Sequence, residues 1–349
     1  MLSAAPNDFT IAIVYTGGGL ANPEDIAIDA SGNVWVQNQT NSGISKFSPA
    51  GQALSGSNGF TGGGLSHPQA LAIDGFGNVW VVNGSSPDSI SEFSDTGSAI
   101  SGSSGYTGGG LNGPSFLAID SSNNVWVTNG SGDNISEFDS NGSPVSATGF
   151  TGGGLNAPNM LAIDASGNIW IENIGGSANT ISEFSSSGAA NANSPFSGGG
   201  LSSSRGIAID AIGNVWATDL ACSCLIEFNS SGVAMSGSPF AGGGMLHPGA
   251  IAIDGAGNIW VGNRGNGVNA PQNVRISEFN SSGVAITSSL GYKLADEPIS
   301  IAIDGAGNLW APGLFYSTLT EFVGLATPVV TPVSANLMSP YGKAAVNKP

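Results

Sequence analysis

Short polar side chains recur at one position of a repeating pattern in this chain: Asn38, Asn83, Asn129, Asn173, Asp219 and Asn263, each closing a short apolar run, with Gly313 breaking the series. Amides and a carboxylate gathered in this way could make a polar floor that hydrogen-bonds a carbohydrate, a peptide or a chain of ordered water. They suit a plainer task equally well, because Asn and Asp side chains cap the backbone of a following loop. Glu172 and Arg264 flank the series, and Glu24, Asp25, Gln69, Arg205 and Ser300 lie on the apolar segments that precede it. A ligand site is therefore expected from Asn38, Asn83, Asn129, Glu172, Asn173, Asp219, Asn263, Arg205 and Arg264. No pair among them spells out a reaction, so no catalytic residue is assigned.

The remaining chemistry-bearing residues point away from catalysis. His67 and His247 both precede a proline, in a slot held elsewhere by Asn22, Gly113, Ala157, Ser203 and Glu297, which reads as a solvent-facing loop position. Cys222 and Cys224 stand two residues apart, too close for an unstrained bridge, and are read as two free thiols. The glycine triplets, of which Gly17 to Gly19 are the first, lack the Lys-Ser/Thr and the helix that a phosphate-cradling loop needs, and are read as close crossings of the chain. One aspartate per D-x-x-G-N turn is far short of the six to eight oxygens calcium takes, so Asp29, Asp74, Asp120, Asp164, Asp210, Asp254 and Asp304 are read as turn formers. Asn123 replaces the turn glycine once, as a left-handed backbone position would allow.

Those aspartates also set the frame that positions everything else. They recur every 44 to 50 residues within segments such as DIAIDASGNVWVQN, ALAIDGFGNVWVVN and AIAIDGAGNIWVGN. Each is followed by ISEF or a close variant, a Ser/Gly turn, and a third apolar segment leading into GGG. Four strand signals per copy, with no helical periodicity between them, define one blade, and seven copies predict a seven-bladed β-propeller of four-stranded antiparallel blades. All seven tryptophans share one slot and seven phenylalanines another, as packing between twisted sheets would require. The orphan segment FTIAIVY places Tyr15 in the slot of Phe60, Tyr106, Phe150, Phe196 and Phe240, so residues 9–15 are expected to complete the last blade. The propeller then spans residues 1–322. Residues 323–349, with Pro328, Pro332 and Pro340, form a tail expected to run extended over its surface, packing on its own ring or reaching a neighbouring molecule.

Composition narrows the partners. The net charge is −17, but 13 of the 24 acidic residues occupy two repeat slots, and the seven Lys and Arg form no cluster. Nucleic acid is an unsuitable partner for such a surface. No run of 18 apolar residues crosses a membrane. The N-terminal MLSAAPNDFT carries no export signal, yet the Ser, Asn and Gly excess points to a mature extracellular or cell-surface protein of bacterial origin.

The pattern P-x-x-[IL]-A-I-D-x-x-G-N-[VI]-W-V over residues 9–322 resembles the NHL-repeat superfamily, and within it the streptogramin (virginiamycin B) lyase-like propellers, whose blades carry a similar D-x-x-G-x-x-W-F-T-E segment. That resemblance implies a histidine base and glutamates near a magnesium ion at the channel mouth. Here Asn38, Asn83, Asn129, Asn173 and Asn263 stand where the family often has Glu, and neither histidine directly precedes the IAID strand. The resemblance to gluconolactonase-type propellers implies a metal, Mg or Ca, which Asp219 with Asn173 or Asn263, and Glu172, could imitate. The expected function is a non-catalytic extracellular binding or assembly propeller without a cofactor. It would meet protein or carbohydrate at the channel mouth, with self-association into an oligomer or fibre through the tail or blade edges. A metal-assisted lyase or lactonase is the alternative.

Overall fold

A computed structural model of the chain describes residues 10–176, 179–265 and 273–332. Among these residues the strands form seven separate antiparallel sheets, one per repeat, with no helix. In the first complete blade the inner strand Pro23–Ile28 pairs with Val34–Asn38, which pairs with Gly43–Phe47, and the other blades repeat the order. The last blade is closed by the N-terminal strand Ala12–Tyr15, antiparallel to Thr318–Phe322 with Tyr15 opposite Leu319. Phe9 lies outside the described residues.

The outer strand departs from the four-strand expectation. A continuous outer partner exists in the closing blade and, as the two residues Tyr292–Lys293, in the blade before it. Elsewhere it is reduced to two isolated bridges per blade, such as Phe47 opposite Ala53 and Ile44 opposite Phe60. The Ser/Gly stretch between them turns instead of extending, with Gly59 donating its amide to the carbonyl of Gly56.

Each blade is held by one linked unit. The turn aspartate accepts two backbone amides on Oδ1, as Asp29 does from Ser31 and Asn33 at 2.9 Å each, and on Oδ2 it accepts the indole N–H of the tryptophan six residues on, 3.0 Å for Trp35. All seven repeat this indole bond, at 2.9 to 3.2 Å. Asp and Trp therefore recur together for one physical reason: a buried indole N–H needs an acceptor. The ring then packs on the aromatic of its own blade's outer segment, Trp35 tilted against Phe60 at 5.7 Å and Trp310 stacked on Tyr15 at 5.7 Å. Its other face packs on the next blade, as Trp170 does on Ile207, Ile209 and Val215.

The glycine triplets are close crossings. A side chain on Gly18 would strike Phe47 and Ala53 at 2.9 Å, and one on Gly19 would overlap the backbone of Gly59. Cys222 and Cys224 correct the expectation of free thiols, because they are joined in a disulfide with their Cα atoms 5.2 Å apart. Ser223 between them adopts the left-handed region (φ 51), which folds the two side chains onto the same side.

The described part of the tail packs on its own ring. Ala326 donates to the Gly307 carbonyl (2.9 Å), Thr327 links Asp254 and Gly255, Val329 donates to Asp304, and the Thr331 hydroxyl donates to the Asp29 carbonyl (2.8 Å). It thus runs across the Asp turns of the last two blades to the first, with Val329 buried. Residues 333–349 lie outside the described residues.

Candidate functional site

The inner strands enclose a central cavity of about 280 Å³. Its wall is mostly Ile, Leu and Ala from all seven blades, because the repeated IAID places the same residues around the axis. At the Asp-turn end Val329, Thr331 and Pro332 of the tail line it, so the channel is floored by its own chain. Among the described residues, the polar side chains lining it are Asp25, Ser300 and Thr331.

The Asn series does not face this cavity. All five asparagines and Asp219 are wholly buried. Each Asn accepts on Oδ1 the amide of the loop leading into its own blade, as Asn38 does from Ala21 (3.0 Å) and Asn173 from Asn156 (3.1 Å). Each donates from Nδ2 to the serine of the third strand, Ser45, Ser91, Ser136, Ser182 or Ser277, at 2.8 to 2.9 Å. Asp219 lacks the amide N–H₂, and its blade carries Ile226 where the five Asn blades have that serine. Its oxygens accept the amides of Ser202 (2.6 Å), Ser203 (2.7 Å), Ala221 (3.0 Å) and Cys222 (3.2 Å). At Gly313 the missing side chain is supplied from across the loop. Asp296 fills the space, where a Cβ on Gly313 would meet it at 2.5 Å, and accepts the amides of Phe315 and Tyr316.

These engagements also test the metal reading. Asn173, Asp219 and Asn263 each turn into their own loop, and no group of three His, Cys, Asp or Glu able to hold an ion occurs among the described residues. To reach an ion, Asp219 would have to abandon backbone amides that have no other partner. The residues do not fit a metal held in that way.

What the structure does bring to the mouth is a set of ionisable groups that differ from blade to blade. Arg264 pairs with the buried Glu297 at 2.5 Å. Glu24 is held above the usual carboxylate range by burial and by Asp25, with Arg264 and the Gln37 amide pulling it back. Asp25 is buried and also raised, chiefly by desolvation, against hydrogen bonds from the Leu71 amide (2.9 Å), the Ser300 hydroxyl and the Ile26 amide. Glu172 is wholly buried, its two oxygens without a hydrogen-bond partner of ordinary geometry, and burial pushes it up to about 8 against the pull of Ser204, Arg205 and Gly206. Arg205 itself is exposed. Of the histidines, His67 is exposed, while His247 is half-buried with Nδ1 2.7 Å from the Gly265 carbonyl. Both sit at positive φ (47 and 49), as do Asn22, Gly113 and Ala157 in the same slot, so the slot selects a backbone shape.

Two further site residues were signalled in the sequence by departures from the repeat. Asp296 was signalled by the break at Gly313 and by the longest spacing between turn aspartates. Asp25 was signalled by its slot, where the other blades place Ala70, Phe116, Met160, Gly206, Ala250 and Ser300.

Fold and mouth together define a seven-bladed β-propeller with a floored central channel and blade-specific charges at its rim. Among solved structures it is similar to the virginiamycin B lyase of Staphylococcus aureus, with a TM-score of 0.71 at 15% identity over 90% of this chain and 99% of that one. A streptogramin B lyase structure matches with a TM-score of 0.69 at 14% identity over 89% and 97%. A gluconolactonase of Xanthomonas campestris, XC5397, matches with a TM-score of 0.54 at 14% identity over 89% of each chain. No protein-family model matches the chain. No curated protein matches it either.

Proposed function

We propose that this propeller is an extracellular binding module that takes a protein or carbohydrate group at the channel mouth without transforming it. The observation that carries this reading is the division of the polar residues. Those that repeat in every blade are consumed by the fold, while those that differ, Glu24, Asp25, Arg264, Glu297 and Ser300, gather at the rim, where function resides on a repeat scaffold. General acid–base work needs a group free to exchange a proton with the substrate. His247 faces a carbonyl and Glu172 is not among the residues that line the cavity, which supports binding over turnover.

The similar fold supplies the counter-test. A solved structure of the catalytically inactive lyase holds quinupristin. Incubating this protein with quinupristin and magnesium, followed by mass spectrometry, should leave the antibiotic intact; a linearised product would overturn the reading. Glycan and peptide arrays probed with the full chain and with R264A should give signals that weaken in the variant. Silence on both arrays would count against a mouth ligand of these classes.

A further inference from the structure

We propose that the floored channel itself is a site for a small organic cation, an ammonium group on a compact apolar body, with the cation seated against Asp25 and the body among the isoleucines and alanines. This deepens the binding reading and rests on it. A carboxyl group is the least suitable side chain for an apolar cavity unless something compensates it. Asp25 is buried, lines the cavity, and its partners are all neutral: the Leu71 and Ile26 amides and the Ser300 hydroxyl. The other blades fill the same slot with Ala, Phe, Met, Gly or Ser, so neither the inner strand nor its turn requires an acid there. A ligand ammonium within hydrogen-bond reach would supply the missing opposite charge in a water-poor setting, where such a bond is strongest. The volume of about 280 Å³ accommodates a body the size of a phenyl or short alkyl group. An overall charge of −17 favours the approach of a cation and disfavours an anion.

The test is calorimetry and thermal shift on the full chain with benzylammonium, benzyl alcohol and benzoate as probes. Benzylammonium should bind, benzyl alcohol should bind more weakly by about tenfold, and benzoate should not bind. D25N, which keeps the shape and removes the charge, should lose the preference for the amine over the alcohol. S300M places in the last blade the residue that Met160 already provides in another, so it should fold, and by crowding Asp25 it should reduce binding of both probes. Equal affinity for amine and alcohol, or an unchanged preference in D25N, overturns the proposal, as does the absence of any amine binding. Array binding that survives alongside those failures would leave the mouth reading standing and sink only the cation site.

Discussion

The two ends of the propeller channel are built on opposite plans. At the turn end every blade presents one turn unit, D-x-x-G-N with Asn123 once in the place of glycine, its aspartate accepts the tryptophan six residues on, and the tail is laid across three of the seven turns. At the mouth five of the seven loops share a hidden Asn–Ser clamp, and the groups above it differ from blade to blade. The difference teaches where to look for function on such a scaffold. Regularity marks what makes a blade, and a residue becomes informative when it breaks the ring.

If the turn end is structural, damage there should cost the most. W126A removes a wholly buried indole from between two blades and should lower unfolding free energy by about 3–5 kcal/mol, measured in urea. Shortening the chain to end at Phe322 removes the strap and exposes the cluster around Val329, and should cost about 2–4 kcal/mol. Light scattering on the same two chains reports on assembly. The tail's described part is already seated on its own ring, so a multimer formed through exposed edge residues such as Ile11, Ile13 and Val14 should persist in the shortened chain. Loss of the multimer on shortening would instead give the tail the assembling role.

The mouth clamp offers a sharper contrast. D219N replaces one of two accepting oxygens, each holding a pair of backbone amides, with an N–H₂ that meets Ile226 in place of a serine, and should cost about 1–3 kcal/mol. D219N with I226S rebuilds the pair used in five other blades and should recover at least half of that loss. Purely additive effects in a double-mutant cycle would show that the co-occurrence of Asp219 and Ile226 is accidental.

The smallest expected effect is in pH. Glu137 and Glu278, each buried beside the turn aspartate of its own blade, are raised to about 7, and Glu172 to about 8, from 4.5. A carboxyl with a raised folded pKa binds its proton more tightly in the native state, so its contribution is fully present below about 4.5 and is lost as pH rises toward 7 to 8. The melting temperature should therefore fall by a few degrees between about pH 5 and pH 8. E172Q should melt progressively higher than the parent over the same interval and hold a constant advantage above about pH 8. Parallel curves would mean that Glu172 is not protonated in the folded protein.

Blade number and the closing strand were legible because Trp35 and its six counterparts keep one register, and because Tyr15 occupies the outer aromatic slot with no inner strand before it. The outer strand was over-read, since apolar residues such as Ala53 and Phe60 carry the same signal whether or not the chain between them extends. The Asn series was legible as a feature but not as a choice between ligand and cap. That choice depends on Ser45 and its equivalents lying across the strand, a pairing signalled only where Asp219 and Ile226 depart together. The disulfide was hidden because a two-residue spacing permits it only at the rare backbone angle adopted by Ser223. Asp25 was visible as one acid among several at the rim, and its significance came from the cavity, which no linear spacing reveals.

The strap has a mechanical meaning as well. The N-terminal strand joins the last blade along several ladder bonds that would have to break together if the ends were pulled along the strand. The tail is attached at separate points on different turns, so Thr331, Val329 and Thr327 can be detached one after another. Force on the described strap would thus be absorbed by stepwise peeling before it reached any blade, leaving the ring closed while its floor opens.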